Sequence, residues 1–305
     1  MPAELAGLRL DQALARMFPE HSRSRLAAWL RDGHVLVEAA MAKPRQKIWG
    51  GELVTVLEPP PAEAGAAAED MALCIVHEDA YVLVLDKPAG LVVHPGAGNW
   101  SGTLMNALLH HAPQLAGVPR AGIVHRLDKD TTGLMVVARE RQAMDALVRL
   151  IAAREVSRQY LALAHRPWTG APTREVQAPI GRDPANRLRM AVVDLARNSG
   201  KTAETGLELL DSAEPGCLVR ACLRTGRTHQ IRVHMAHIGH PLVADELYGG
   251  APAGGLRRQA LHAFRLAFVH PLTGQALAFE SRPPADFAAA VAGWGLRYND
   301  PAPSF

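Results

Sequence analysis

The chain has 305 residues, 48% of them hydrophobic, with 33 Lys and Arg against 30 Asp and Glu for a formal net charge of +3. That length and apolar content support a substantial core and one large domain or two unequal modules, which excludes a wholly disordered chain. Three cysteines (Cys74, Cys217, Cys222), an odd count without a Cys-x-x-Cys pair, exclude a disulfide framework or cysteine-based zinc site, and the apolar runs at 82–85 and 134–138 are too short to cross a bilayer.

From the N-terminus, Leu10, Ala13, Leu14, Met17 and Phe18 recur at helical spacing and predict a first helix ended by Pro19. Ser22 is the candidate N-cap of a second helix, with Leu26, Trp29 and Leu30 on one face and Gly33 as its stop. Residues 35–37 and 53–57 predict short strands, with Gly50-Gly51 as a turn. Arg23, Arg25 and Arg31 lie on or beside the second helix, whose N-terminal amides favour anions. On spacing alone they read more readily as a solvated helix face.

Residues 58–70 are rich in Pro, Ala and Glu, lack an apolar period and predict a linker stiffened by Pro59 to Pro61. Beyond them, strands are predicted at 73–76, 81–85, 91–93, 135–138 and 159–164, and a short helix at 104–111. Met144, Leu147, Val148 and Ile151 predict an amphipathic helix. Strand pairs interrupted by helices, without regular βαβ alternation, predict an α+β domain around a largely antiparallel mixed sheet. No leader pattern is visible in residues 1–7, and the expected setting is a reducing cytoplasm in which the cysteines are small buried hydrophobes.

The most polar concentration next to an apolar strand is His125-Arg-Leu-Asp-Lys-Asp-Thr-Thr-Gly133. Asp128 and Asp130 flank Lys129. By residue type the loop could be a metal site, a general-acid pair, a nucleophile or a structural turn. His229, His234, His237 and His240 cluster further on, but their spacing does not fit a His-Glu-x-x-His helix, and Val233, Met235 and Ile238 between them look like core.

Two resemblances narrow these alternatives. Arg9-Leu-Asp-Gln12, Ser22-Arg-Ser-Arg25 and Gly33-His-Val35 resemble the S4 RNA-binding module, which implies that Arg23, Arg25 and Arg31 face RNA phosphates. The chain departs from that module at Val37-Glu38-Ala39, where Val-Asn-Gly is usual. Residues 125–139 resemble the active-site motif of the RluA/RluD family of pseudouridine synthases, His-Arg-Leu-Asp followed by Lys/Arg-x-Thr-Ser/Thr-Gly. Further matches occur in the same chain order: residues 86–95, 95–99 and 119–124 before this motif, and Arg158-Gln-Tyr160, residues 225–235, Gly239-His-Pro-Leu242, Tyr248-Gly249 and residues 259–263 after it.

The resemblance implies an S4-like module at 1–57, a linker at 58–70 and a pseudouridine synthase domain at 71–305. It implies an enzyme that breaks the uridine N1–C1′ bond and joins C5 to C1′, a chemistry that needs no metal, redox cofactor or nucleotide. Asp128 is then the catalytic carboxylate, suited to a C1′ that becomes electron-poor. Arg232 is the cation that keeps it charged where water is excluded, with Arg227 as the alternative. Tyr160 stacks on the base and is a candidate for the final C5 deprotonation, although a phenol is a poor base near neutral pH. Arg126 fills the space left by the flipped base, and Arg227, His229 and Gln230 accompany it as RNA contacts. The expected partner is large-subunit ribosomal RNA or a pre-ribosomal particle, bound by a monomer. Competing readings are the same chemistry on transfer RNA or other ribosomal sites, a hydrolase built on Asp128 and Asp130, and a non-catalytic assembly factor.

Overall fold

The computed structural model describes residues 1–18, 21, 23–57, 67–96, 99–186 and 188–298. Pro19, Ser22, most of the expected linker and the side chains of Arg23 and Arg25 lie outside the described residues. The chain divides into two compact units, Met1–Gly65 and Ala66–Phe305.

The first unit contains α1 (Leu10–Met17), α2 (Arg23–Arg31), β1 (Val35–Val37), β2 (Ala40–Met41) and β3 (Val54–Val56), with strand order β2-β1-β3. Leu10, Ala13 and Leu14 recur on one face of α1 and are buried with Leu26, Trp29 and Leu30 from α2 and Val35, Val37 and Ile48. Glu38 and Ala39 form the two-residue turn between β1 and β2, both at positive φ (50° and 63°). This is the backbone sign required by a tight hairpin, adopted here without Asn or Gly. The Glu38 carboxylate accepts the Leu53 N–H at 2.7 Å, which ties the turn to the segment before β3.

The second unit runs through β4 (Ile75–Glu78), β5 (Val82–Lys87), α3 (Leu104–His111), β6 (Thr132–Ala138), α4 (Arg141–Ala152) and β7 (Ser157–His165). It continues with β8 (Thr173–Gln177), β9 (Ile180–Arg182), β10 (Met190–Val192), β11 (Gly200–Lys201), β12 (Glu204–Ala213), β13 (Gly216–Leu223) and α5 (Gln230–His237). The last elements are β14 (Leu261–Val269), β15 (Ala276–Glu280) and α6 (Ala285–Gly293). Among the described residues, nine strands form one sheet in the order β4-β5-β6-β14-β7-β13-β12-β8, with β15 also on β14. Every pairing is antiparallel except β6 with β14, so this is the α+β, mixed and largely antiparallel sheet that the sequence predicts. β9, β10 and β11 form a separate three-stranded sheet.

The period of two along β7 explains the two cores. Tyr160, Ala162 and Ala164 face one side with Cys217, Val219 and Ala221 of β13. Leu161 and Leu163 face the other with Leu218 and with Phe287, Ala290 and Val291 of α6. Both faces are covered, so the strand reads as a nearly continuous apolar run. Truncating Leu161, which has no exposed surface, to Ala would cost about 2–5 kcal/mol.

Three sequence expectations change. Residues 91–93 do not form a strand; Val92 makes one isolated bridge, to Thr103. Instead the Val92 and Val93 carbonyls accept the Leu104 and Met105 N–H groups at 2.8 and 3.1 Å, satisfying amides that the first turn of α3 cannot pair internally. On α4 the buried stripe is Ala143 and Leu147, an i,i+4 pair, and Val148 is exposed. All three cysteines are free thiols, but only Cys217 is fully buried; Cys74 is exposed because it precedes β4 at the sheet edge.

Candidate active site

The loop 125–131 enters β6 beside the only place where the sheet changes from antiparallel to parallel pairing among the described residues. Gly133 makes that approach possible: its φ is +112°, and a Cβ there would collide with the Ala263 backbone of β14. The loop is held from several sides. Lys87 is fully buried, and its Nζ donates to the carbonyls of Pro88, Leu91 and Lys129 at 2.7, 3.0 and 2.8 Å. Arg258 donates to the Asp130 carbonyl at 3.1 Å, and Gln259 to the Thr131 hydroxyl at 3.3 Å. Burial lowers the Lys87 ammonium to about 8, with the charges of Asp130 and Asp128 opposing the shift. Asp128, between these fixed points, is partly buried with its side chain 16% exposed.

The counter-ion comes from α5. Arg232 Nη1 donates to Asp128 Oδ2 at 3.0 Å, while its Nε and Nη2 donate to the two oxygens of Asp245 at 2.7 and 2.8 Å. The Tyr248 ring lies 5.0 Å from the guanidinium carbon. Burial disfavours the Arg232 charge, yet its hydrogen bonds and charge interaction with Asp245, and then Asp128, more than offset that and hold it above its ordinary range. Because Oδ2 of Asp128 is committed to Arg232, Oδ1 is the oxygen left for a reacting group. His229 Nε2 stands 3.8 Å from Oδ1, beyond hydrogen-bond length, and burial holds that imidazole below its ordinary range. The Tyr248 hydroxyl accepts the Met190 N–H at 3.0 Å, so its own proton is free for His229 Nδ1 at 2.8 Å, which turns Nε2–H toward Asp128.

Asp128 opens into a cleft of about 550 Å³, within the range of about 300–1,000 Å³ usual for sites that take a small molecule or nucleotide. Tyr160, Arg126, Arg158 and Arg227 line it with Asp128, which is the one acidic side chain in its lining among the described residues. Asp130 does not line it, so the second carboxylate that a two-acid hydrolase needs is not presented there. Tyr160 is 4% exposed, and burial pushes its phenol up to about 12, so it stays neutral across the physiological range. His125 Nε2 accepts the Val136 N–H at 3.0 Å; burial, then the charge of Arg158, pushes that imidazole down to about 3. His94, also in the lining, is pushed down to about 4 by burial and then by Arg126 and Arg120.

The structure therefore brings together Asp128, Arg232, Tyr160, Arg126, Arg227 and His229. Arg227 lines the cleft and donates its Nε to the Thr202 carbonyl at 2.9 Å; Arg232, not Arg227, pairs with Asp128. Gln230 lines a small hollow beside Asp128, Tyr160 and Arg227 and is also bonded within the protein. Its side chain is buried; Oε1 accepts from Thr225 Oγ1 and the Arg227 N–H, and Nε2 donates to the Glu204 carbonyl and Thr205 Oγ1. It anchors the loop that precedes α5. Arg31 is exposed in the last turn of α2, in the other unit. The clustered histidines diverge: His234 bonds Thr205 and the Ala178 carbonyl, and His240 stacks on Trp168. Tyr248 lies in a matched motif to which the sequence assigns no role, and Asp245, Arg120, Arg154 and Arg224 join the site also without an assigned role. The last three line the cleft and are spread over separate segments, so only their type could have marked them.

A model of the family described as RNA pseudouridylate synthase matches residues 81–237, and an S4 domain model matches residues 8–54. The ribosomal large subunit pseudouridine synthase D of Nitrosomonas europaea is 50% identical over 302 residues, covering 95% of this chain and 86% of that protein. The proteins of the same description from Pseudomonas aeruginosa and Escherichia coli O157:H7 are 50% and 47% identical; they cover 94% and 93% of this chain and are covered to 92% and 90%. Among solved structures, human RNA pseudouridylate synthase domain containing 4 superposes with a TM-score of 0.58 at 26% identity, covering 74% of this chain and 95% of that one. Human RNA pseudouridylate synthase domain containing 1 gives 0.56 at 26% identity, over 74% and 87%.

Proposed function

The chain belongs to the RNA pseudouridylate synthase family and carries an S4 domain, and from that premise we propose that it isomerises specific uridines of large-subunit ribosomal RNA to pseudouridine. The observation that carries the reading is the single carboxylate of Asp128, held by Arg232 at 3.0 Å and facing a cleft of nucleotide size. The likeness to ribosomal large subunit pseudouridine synthases along nearly the whole chain supports the substrate class.

In this reading the target uridine leaves the RNA stack, at a cost of a few kcal/mol, about the expense of unpairing one base. Arg126, exposed at the rim, occupies the vacated space. Tyr160 supports the base. As the N1–C1′ bond breaks, C1′ becomes electron-poor and Oδ1 of Asp128 meets it, as carboxylates do in glycosyl transfer. The uracil turns, C5 bonds to C1′, the C5 proton leaves and N1 is reprotonated, so product and substrate are isomers. Tyr160 is a neutral phenol, so its part in removing the C5 proton passes through water or follows loss of its own proton. Arg23, Arg25 and Arg31 of the S4 domain bind RNA phosphates, and the protein acts as a monomer in the cytoplasm. Among the described residues no helix is long and apolar enough to cross a membrane.

Pseudouridine mapping of total RNA from cells with wild-type or Asp128→Asn protein tests activity and target together. The expected result is loss of defined large-subunit sites in the variant, with RNA affinity kept because phosphate contacts dominate it. Near-normal modification by Asp128→Asn would sink the reading; loss confined to transfer RNA would redirect it.

A further inference from the structure

Arg158 lies on β7 two residues before Tyr160, is 6% exposed and lines the same cleft as Asp128. Its Nε is buried without a hydrogen-bond partner, and no carboxylate pairs with it among the described residues. Other cations of this unit are treated differently: Arg232 holds two carboxylates, and Lys87 has three carbonyls. A buried guanidinium without a counter-ion is costly, so its partner arrives with a ligand.

We propose that Arg158 is the receptor for one backbone phosphate of the bound RNA, seated in the cleft beside the catalytic carboxylate. The inference rests on the reading of the site given above and adds a ligand contact that neither the relatives' names nor the motif supplies.

Charge selects the phosphate over the base. Arg120, Arg126, Arg154, Arg224 and Arg227 line the cleft with Arg158, against Asp128 as the acid, and Asp128 is already paired. Uracil is neutral; the anion that RNA brings is the phosphodiester, which suits the planar fork of Arg. His125, next to Arg158 in the cleft, accepts a backbone N–H and carries no charge to share. Gly226 packs against the guanidinium: a Cβ there would stand 2.9 Å from Arg158 Nη1, so only a residue without a side chain lets Arg158 keep this position.

The test uses the full chain and a large-subunit ribosomal RNA fragment containing a mapped target uridine. Binding is measured against salt for wild type, Arg158→Lys and Arg158→Gln, and pseudouridine formation by the wild type is scored on the same RNA. Arg158→Gln is expected to bind about tenfold more weakly at low salt and to lose about 0.7–0.9 from the slope of log affinity against log salt, one phosphate's worth. Arg158→Lys keeps the slope. A methylphosphonate placed at each phosphate around the target should weaken the wild type at one position and leave Arg158→Gln unaffected there. If no position near the target behaves so, or if Arg158→Gln loses turnover with an unchanged slope, the phosphate assignment is overturned and Arg158 acts on the base or on the fold. The methylphosphonate scan on the wild type decides the matter even where Arg158→Gln does not fold. A wild type that binds but makes no pseudouridine overturns the catalytic reading separately.

Discussion

Arg232 and Asp245 meet through two parallel hydrogen bonds of 2.7 and 2.8 Å, and both side chains are almost fully buried. The third nitrogen of the guanidinium is thereby aimed at Asp128. Asp245 fixes the fork, and the fork fixes the carboxylate oxygen.

Removing Asp245 tests that chain of support. Asp245→Ala leaves Arg232 with Asp128 as its one carboxylate in a buried place, and unfolding in urea should show a loss of about 3–5 kcal/mol. Turnover should fall while the apparent affinity for RNA changes little, because Asp245 faces the protein interior. A variant as stable and active as the wild type would remove Asp245 from the account.

Arg126 is exposed at the mouth of the cleft and makes no hydrogen bond that would hold it elsewhere among the described residues. Arg126→Ala should lose about tenfold or more on a structured RNA, and much less on the same uridine in a pre-opened strand, where the cost of a few kcal/mol for flipping is already met. Single-turnover rates on the two substrates measure this. Equal losses on both would count against a role in holding the base out.

Lys87 supports the Asp128 loop at one remove, through the Lys129 carbonyl next to Asp128. Lys87→Met matches its length and lacks the three donors. A displacement of Asp128 of about 1 Å would reduce turnover on the order of a hundredfold, with RNA binding preserved. Rates and affinities measured side by side check the split; turnover within twofold of wild type would mean the loop holds without it.

His125 gives acid sensitivity. Its folded value is depressed to about 3 from the ordinary 6.5, so the unfolded chain binds the extra proton first as pH drops. The associated stability is fully present above about pH 6.5 and declines by about 1.4 kcal/mol per unit of pH below it, until the folded imidazole also titrates near 3. His125→Gln keeps an acceptor for the Val136 N–H and does not titrate. Urea midpoints between about pH 7 and pH 4.5 should therefore fall less steeply in the variant than in the wild type; parallel slopes would assign acid lability to other groups.

Much of the architecture is legible in the sequence because it depends on local period. The helices at 10–17 and 104–111 and the strands at 35–37 and 135–138 follow from spacing alone. What escapes is whatever depends on a distant partner. Residues 91–93 look like a strand by composition, yet their carbonyls satisfy the start of α3. Val148 fits the apolar stripe of α4, but the neighbouring layer meets the helix along Ala143 and Leu147. Asp128 stands out in a polar loop before an apolar strand. Arg232 is reached through motif resemblance, since no local rule links residues 104 apart. Asp245 carries no local signal: an acid in a loop looks solvated until the fold buries it against Arg232. Gln230 shows the reverse, a polar residue within a motif that also bonds Thr225 and the Glu204 carbonyl, partners no local rule foretells.

The separation of 104 positions from Asp128 to Arg232, with Asp245 a further 13 along, also sets a timetable for synthesis. A nascent chain has its acid long before the guanidinium has left the exit tunnel, and β14, which lies between β6 and β7 in the sheet, comes later still. A nascent chain that holds Asp128 alone therefore lacks the charge pair, which closes only once Arg232 and Asp245 have emerged.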